Sequence, residues 1–257
     1  MLSSFQKDKL RVQIYATRNE MGSVAANDAA ETIRTLLSHQ SEVNIIFAAA
    51  PSQNEFLEAL SSANNIDWQR INAFHMDEYI NLPADAPQGF GNFLKERIFE
   101  KLPFRSVHYL NGNCPDPERE CERYAALLQQ HPIDIVLMGI GENGHIAFND
   151  PHVAQFDDPQ LVKVVDLDEK CRKQQVNDGC FSALEKVPTH ALTLTIPALM
   201  NGKYLFCMVP AKTKAWAVYH TINDPVSEAV PATRLRKHEQ ARLYADKDSV
   251  GMLADEI

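Results

Sequence analysis

The sequence predicts an α/β protein with three α/β/α layers built around an open, mostly parallel sheet of the Rossmann-like kind. Short strand-like runs alternate along the chain with segments whose apolar residues recur at helical spacing. Several strand-like runs are apolar on both faces, which is typical of strands that helices cover on both sides. No internal repeat, low-complexity tract or long linker interrupts the pattern. We therefore expect residues 1–257 to form a single domain.

Eight short runs of the sequence are strand-like. Residues 11–16 alternate, whereas residues 133–138 form the most continuous apolar run. Strand-like runs lie at residues 11–16, 43–47, 70–76, 107–110, 133–138, 162–165, 191–196 and 204–208. Because ligands of such sheets bind beyond the carboxyl ends of the strands, the loops after these runs are the places to look for a functional site.

Helical periodicity accounts for most of the segments between the strands. Ser52 and Glu55 stand at the spacing of a capping box, which predicts the start of a helix that continues through residues 56–60. The other predicted helices cover residues 21–37, 90–102, 117–130 and 212–222.

Composition excludes several classes of protein. The chain has 25 basic and 34 acidic residues, a net charge of −9, which disfavours general nucleic-acid binding but not a small anionic ligand. No apolar run reaches the roughly 18 residues of a membrane span, and the first residues lack the apolar core of a signal peptide. The five cysteines form no CxxC motif, so we expect reduced thiols, a cytoplasmic protein and no metal site.

A glycine-rich loop follows the most apolar strand. Gly139, Gly141 and Gly144 spell GxGxxG, and Asp166 follows at about the distance that a dinucleotide-binding unit requires. That unit also needs a helix to begin in the loop, whereas residues 149–151, Asn-Asp-Pro, are typical of a turn. The glycines are better explained by a tight loop that approaches a ligand. We therefore expect no dinucleotide at this loop.

Two adjacent carboxylates, Asp77 and Glu78, come directly after the third strand-like run. A carboxylate at a strand end is a candidate for acid–base chemistry. Neighbouring side chains point in different directions, so we expect only one of the two to face a pocket. The alternative interpretation is a solvated acidic turn.

A second candidate group surrounds a histidine in the glycine-rich loop. His145 can reach a substrate there, and Asp150 can hold its ring and stabilise the imidazolium. Asn143 and Gly144 precede the histidine directly. The alternative is a loop histidine that only caps backbone groups.

The third candidate is an anion site. Ala49, Ala50 and Ser52 join a strand to a helix amino end, where free amide groups and the helix dipole favour a phosphate. Lys214, at the start of a later helix, can supply a positive charge. The alternative is an ordinary capped helix and a solvated lysine.

Taken together, these segments resemble the glucosamine-6-phosphate deaminase (isomerase) family. The similarity is carried by residues 74–83, FHMDEYINLP, and 139–151, GIGENGHIAFNDP, with support from residues 110–113 and 187–193. It extends over roughly residues 15–244. The related 6-phosphogluconolactonases share the fold and a glycine–histidine loop, but that loop usually continues differently.

The resemblance implies a cofactor-free enzyme that converts glucosamine 6-phosphate and water to fructose 6-phosphate and ammonia. Asp77 matches the family's acid–base residue, which moves a proton between C2 and C1. His145 matches the histidine that opens the sugar ring, and Lys214 matches a phosphate-binding lysine. Glu78, Gly144 and Arg172 are further candidates for binding the sugar phosphate. The partner implied is a small sugar phosphate, and a homo-oligomer is a further expectation at the level of the family.

The chain departs from the family pattern at several positions. Asn143 stands where the family usually has an aspartate, and Asp150 stands where it usually has a glutamate. Residues 48–52 replace a glycine- and threonine-rich turn. The family's phosphate arginine has no clear match, although Gln175 falls near its position and Arg172 is close by.

Four functions remain open at this point. The first is deamination of glucosamine 6-phosphate, and the second is the same reaction on another hexosamine 6-phosphate such as galactosamine 6-phosphate. The third is hydrolysis of a sugar-phosphate lactone, and the fourth is sugar-phosphate sensing by an inactive relative. The loop after His145 and the presence of Asp77 favour a deaminase.

Overall fold

The computed structural model describes residues 1–253 of the chain. In these residues the strands are β1 (Ser3–Lys7), β2 (Leu10–Tyr15), β3 (Val43–Phe47), β4 (Ile71–His75), β5 (Asp77–Tyr79), β6 (Ser106–His108), β7 (Ile135–Met138), β8 (Val162–Asp166), β9 (His190–Leu194), β10 (Tyr204–Val209) and β11 (Ala241–Asp246). Eight of them form one sheet in the spatial order β1-β2-β11-β10-β7-β3-β4-β6. Neighbouring strands of this sheet are parallel except for the pair β1 and β2, which confirms the predicted mostly parallel sheet.

Helices cover both faces of the large sheet, because successive residues along a strand point to opposite sides. The helices are α1 (Arg18–His39), α2 (Asn54–Ser61), α3 (Phe90–Leu94), α4 (Pro117–Gln130), α5 (Glu169–Asn177), α6 (Ile196–Met200) and α7 (Ala215–Asn223). On one face Leu137 belongs to the same apolar cluster as Met21 of α1. On the other face its neighbour Val136 clusters with Tyr124 of α4 and Val218 of α7. The predicted three-layer arrangement is confirmed.

A second, smaller sheet lies outside the large one and was not predicted. It has the order β5-β9-β8, and both of its strand pairs are antiparallel. The chain leaves the large sheet at His75, the last residue of β4, and enters the small sheet at Asp77, which pairs with Thr193. This crossing places Asp77 at the carboxyl edge of the large sheet.

The predicted capping box at the start of α2 is wrong. Residues Pro51–Gln53 form a short 3-10 turn, and α2 begins only at Asn54. The Ser52 hydroxyl accepts a hydrogen bond from Gln53 Nε2 at 3.1 Å. The Glu55 carboxylate accepts one from Arg18 Nη2 at 2.8 Å. An ion pair with the neighbouring helix α1 therefore replaces the local cap.

The helix predicted over residues 90–102 is shorter and irregular. Helix α3 ends at Leu94, and the chain continues as a π-helical turn over Lys95–Phe99. Strands β1, β5 and β11 and helices α5 and α6 were not predicted. In β1 and β11 charged or polar residues interrupt the apolar pattern, so alternation alone did not mark them.

Two general expectations bear on the class of protein. No helix in residues 1–253 is long and apolar enough to cross a membrane. All five cysteines are free thiols in the structure, as predicted. They are Cys114, Cys121, Cys171, Cys180 and Cys207.

Candidate active site

An open cavity of about 490 Å³ lies beyond the carboxyl ends of the central strands. This is the edge of the sheet where a parallel α/β fold places its ligands. Its lining comprises Ala48, Ala49, Ala50, Ser52, Gln53, Met76, Asp77, Phe90, Gly139, Ile140, Gly141, His145, Ala147, Phe148, Gln174, Gln175 and Lys214. Candidates from all three sequence groups therefore meet at one cavity.

Asp77 places a carboxyl group in a poorly solvated wall of the cavity. The residue is 6% exposed. Burial raises the pKa of the Asp77 carboxyl well above its usual range, and the neighbouring charge of Glu78 raises it further. A carboxyl group with a raised pKa exchanges protons more readily near neutral pH, which suits an acid–base residue.

Glu78 does not line this cavity, so its placement does not support the substrate-binding role expected from the sequence. Its Oε1 accepts hydrogen bonds from the amides of Tyr79 at 2.9 Å and Phe90 at 3.0 Å. Its Oε2 accepts from the amide of Gly91 at 2.8 Å. Burial raises the pKa of Glu78, although these amide groups oppose the rise. The side chain ties β5 to the start of α3, and only Asp77 of the pair faces the cavity.

Two side chains contact the same nitrogen atom of the His145 ring. Its Nδ1 lies 2.7 Å from Asn143 Oδ1 and 3.0 Å from Asp150 Oδ1. With Nδ1 occupied in this way, Nε2 is the ring nitrogen left for a ligand in the cavity. The ring also lies against Gly141, where a Cβ would be 2.1 Å from His145 Cε1. The loop can therefore carry this histidine only with glycine at position 141.

Asp150 supplies the charge that supports this histidine. It is fully buried and accepts hydrogen bonds from Asn143 Nδ2 at 2.9 Å and from the amide of Asp168 at 3.1 Å. Burial acts to raise the pKa of Asp150, but the His145 charge and the surrounding hydrogen bonds outweigh it and lower this pKa. Asn143 acts as a neutral bridge between the carboxylate and the imidazole.

Replacing Asn143 by Asp is expected to move the pH–rate profile of the enzyme to higher pH. The new carboxylate would lie beside both the imidazole and Asp150, and added negative charge stabilises an imidazolium. The measurement is kcat/KM against pH for both proteins. Asn201→Asp, the same change at the exposed end of α6, is the control. Superimposable profiles would show that position 143 does not tune His145.

One group of potential metal ligands is found in the described part of the chain. The ligand atoms of His145, Asp150 and Cys171 lie within 4.8 Å of one another. Burial raises the pKa of the Cys171 thiol well above its usual range, so the thiol stays protonated and is a poor ligand. The Asp150 oxygens are already occupied by hydrogen bonds. This arrangement is better suited to supporting the histidine than to holding an ion, and the absence of a metal stays a prediction.

Lys214 supplies a positive charge that forms no ion pair with any residue from 1 to 253. It is 5% exposed and lies in the turn Lys212–Lys214 after β10. No carboxylate within residues 1–253 comes within 4.0 Å of its ammonium group. Burial lowers the pKa of Lys214, while the more distant charges of Asp178 and Glu142 oppose the decrease. An unpaired, buried ammonium at a cavity wall favours an anionic ligand.

Not every expected ligand of the anion reaches the cavity. Ala49, Ala50 and Ser52 line it, whereas Arg172 turns away and donates from Nη2 to the carbonyl of Leu184 at 2.8 Å. Gly144 is also outside the lining, where its φ of +83° shapes the loop.

Several lining residues were not identified from the sequence as site residues. They are Gln53, Met76, Phe90, Ala147, Phe148 and Gln174. Gln53 follows Ser52 directly, and Met76, Ala147 and Phe148 lie in the two segments that carry the family resemblance. Phe90 and Gln174 carried no local signal for the site, because they reach the cavity through tertiary packing.

Comparisons with known proteins identify the family of this chain. The family model described as glucosamine-6-phosphate isomerases/6-phosphogluconolactonase matches residues 16–244. Glucosamine-6-phosphate deaminases of Bacillus thuringiensis (strain Al Hakam) and Bacillus anthracis (strain A0248) are each 37% identical over 194 residues, which is 76% of this chain and 72% of theirs.

Two solved structures also resemble this chain. A monomeric glucosamine-6-phosphate deaminase has a TM-score of 0.84 at 29% identity, covering 94% of this chain and 99% of that one. A 6-phosphogluconolactonase from Thermotoga maritima has a TM-score of 0.76 at 20% identity, covering 93% of this chain and 100% of that one, and so shares the fold. The resemblance inferred from the sequence is confirmed: this chain belongs to the family of glucosamine-6-phosphate isomerases and 6-phosphogluconolactonases.

Proposed function

We propose that this protein converts glucosamine 6-phosphate and water to fructose 6-phosphate and ammonia. The observation that carries the proposal is the convergence of Asp77, His145 and Lys214 on one cavity. These residues supply a buried carboxyl group, a supported imidazole and an unpaired ammonium. The 37% identity to glucosamine-6-phosphate deaminases supports the choice of reaction.

In the proposed reaction His145 opens the sugar ring. The ring oxygen must gain a proton while the hydroxyl on C1 loses one, and an imidazole can both accept and donate near neutral pH. Nε2 would carry this exchange, since Nδ1 is held by Asn143 and Asp150. The Asp150 carboxylate stabilises the transient imidazolium.

Asp77 then moves the proton between carbons. As a carboxylate it removes the proton from C2, and as a carboxylic acid it returns that proton to C1. Moving the proton to C1, together with the transfer of an amine proton to the C1 oxygen, converts the C2 amine to an imine. Water adds to this imine, ammonia leaves from the resulting carbinolamine, and the product is the 2-ketose phosphate. A single carboxyl group over both carbons is sufficient for this shuttle, and its poorly solvated position favours repeated proton exchange.

Lys214 is proposed to bind the phosphate, together with Ser52 and the small residues Ala49 and Ala50. Fixing the phosphate orients the sugar over the two catalytic groups.

Replacing Lys214 by Ala is expected to raise KM for the sugar phosphate about 10- to 100-fold, since hydrogen bonds to charged groups contribute about 1.5–3 kcal/mol. We expect a smaller change in kcat, because Lys214 is remote from the proton transfers. Steady-state kinetics measure both constants. Lys212→Ala removes an exposed lysine of the same turn and is the matched control. An unchanged KM would contradict phosphate binding by Lys214.

Ammonia release over a panel of hexosamine 6-phosphates tests the reaction. Glucosamine, galactosamine and mannosamine 6-phosphates are offered separately, with 6-phosphogluconolactone as a control substrate. We expect ammonia and a ketose phosphate from the glucosamine compound. If only another epimer releases ammonia, that epimer is the substrate. If the lactone is hydrolysed and no ammonia appears, the protein is a lactonase and the proposed reaction is wrong. Binding of sugar phosphate without turnover would indicate a sensor.

Three further expectations are also proposed. We propose that the chain acts as one domain, because the cavity draws residues from position 48 to position 214; residues 254–257 lie outside the described residues. A cytoplasmic location is supported by the five free thiols. The homo-oligomer stays a prediction. Light scattering would distinguish it from a monomer, which is the state of the similar deaminase.

A further inference from the structure

We propose that His75 is a positioning residue for Asp77: its imidazole fixes the turn that presents the proton-shuttling carboxyl group to the cavity. This inference rests on the proposed function, because it assigns a role relative to Asp77. His75 itself does not line the cavity and is fully buried. It therefore acts on the reaction only through the backbone of its neighbour.

The two ring nitrogens of His75 are both occupied by backbone groups. The amide of Leu110 donates to Nε2 at 3.0 Å, and Nδ1 lies 2.9 Å from the carbonyl oxygen of Asp77. Because Nε2 accepts a hydrogen bond, the ring proton must be on Nδ1, which donates to that carbonyl. The ring thus joins the Asp77 backbone to the segment that follows β6.

The bridge spans the junction between the two sheets, where the amide of Leu194 also donates to the carbonyl of Met76 at 2.8 Å. β4 ends at His75 and β5 begins at Asp77, so only Met76 separates the two sheets. The backbone of His75 is held by Tyr124 of α4, whose hydroxyl accepts from the His75 amide at 3.0 Å and donates to its carbonyl at 2.9 Å. Because the imidazole in turn donates to the Asp77 carbonyl, the position of the His75 backbone constrains that of Asp77.

His75 is unsuited to carrying a proton itself. Burial lowers its pKa to about 4, although the bond to the Asp77 carbonyl and the charge of Glu120 on α4 oppose the decrease. The other titratable groups that face it are Tyr124 on the same helix and the Tyr109 ring, whose centroid is 5.9 Å away. The imidazole is therefore neutral, in one tautomer, over the range in which the enzyme is expected to work.

Two substitutions separate the two hydrogen bonds of the ring. In His75→Asn the side-chain amide nitrogen can take the place of Nδ1 and keep the bond to Asp77. In His75→Gln the amide group reaches the place of Nε2 and keeps the bond to Leu110 instead. Both remove the ring from the same buried site, so both are expected to lower the free energy of unfolding.

We expect His75→Gln to lower kcat about 10- to 100-fold with little change in KM, because a small displacement of a reacting group has effects of this size. We expect His75→Asn to keep kcat within a few-fold of the wild type. Tyr244→Phe, which removes a buried hydroxyl that donates to Asp28 outside the cavity, measures how far destabilisation alone lowers kcat. Equal kcat values for the Asn and Gln variants, after allowance for the folded fraction, would overturn the inference.

The outcome also separates this inference from the proposed function. An active wild-type protein that Asp77→Asn inactivates supports the function, and the Asn and Gln variants then test positioning alone. If His75→Gln is as active as the wild type, only the positioning role fails. A wild-type protein that releases no ammonia from any hexosamine phosphate overturns the function and, with it, the inference.

Discussion

Replacing Asp77 by Asn is expected to lower kcat by about 10³-fold or more and to leave substrate binding nearly intact. An amide has the shape of the carboxyl group but can neither remove a proton from C2 nor return one to C1. Loss of a positioned acid–base group typically costs about 10²- to 10⁴-fold in rate. Asp77 is the only carboxyl group in the cavity lining within residues 1–253, so we expect no neighbour to replace it. Steady-state kinetics and ligand titration give the two readouts.

The same substitution is expected to stabilise the fold at neutral pH. The pKa of Asp77 is raised in the folded state, so folding favours the protonated form. The stabilisation from this group is complete below the unfolded pKa of about 3.9 and is lost as the pH rises through the folded pKa. Above that value the wild type bears the cost of a buried carboxylate, which the Asn variant does not.

Denaturant unfolding of both proteins at several pH values measures this effect. As the pH falls from neutral, the wild type should become more stable relative to the variant. Asp85→Asn, at an exposed position, is the control for the loss of one charge. Normal turnover in Asp77→Asn would refute the proposed role of the residue.

Replacing Gly141 by Ala is expected to lower kcat about 100-fold or more, although it adds only one methyl group. The new Cβ would be 2.1 Å from Cε1 and 2.2 Å from Nε2 of His145. The ring must therefore rotate away from the loop, which breaks its contacts with Asn143 and Asp150. The backbone of Gly141 does not have a positive φ, so the effect comes from the side-chain collision.

The NMR titration of the His145 ring and the kinetics of the variant together test this expectation. Gly251→Ala is the matched control, because its Cβ would meet only the Asp248 carbonyl oxygen at 3.4 Å, an ordinary contact. Wild-type turnover with an unchanged His145 titration in Gly141→Ala would show that the ring does not need its observed position.

Local patterns in the sequence predicted the fold class and much of the site. Apolar strands and helical periodicity report burial of single segments, and these gave the three-layer sheet. Because parallel strands end at one edge of the sheet, the loops that carry Asp77, His145 and Ser52 could be expected to meet. They do so at one cavity, together with Lys214.

Other features depended on residues that are distant in the sequence. The capping box at Ser52 fails because Arg18 of α1 binds Glu55. Arg172 turns from the cavity because its guanidinium finds backbone carbonyls such as that of Leu184. A side chain with several possible partners takes the one that tertiary packing brings to it, and sequence spacing does not report which one that is.

The sequence by itself determined the α/β class, the edge of the sheet that carries the site and the chemistry of its main residues. Only the tertiary structure decided which of the neighbours Asp77 and Glu78 faces the cavity, and that His75 fixes the turn between the two sheets. The reason is physical: residue type and periodicity reflect local preference, whereas orientation depends on the hydrogen-bond partners that folding brings from elsewhere in the chain.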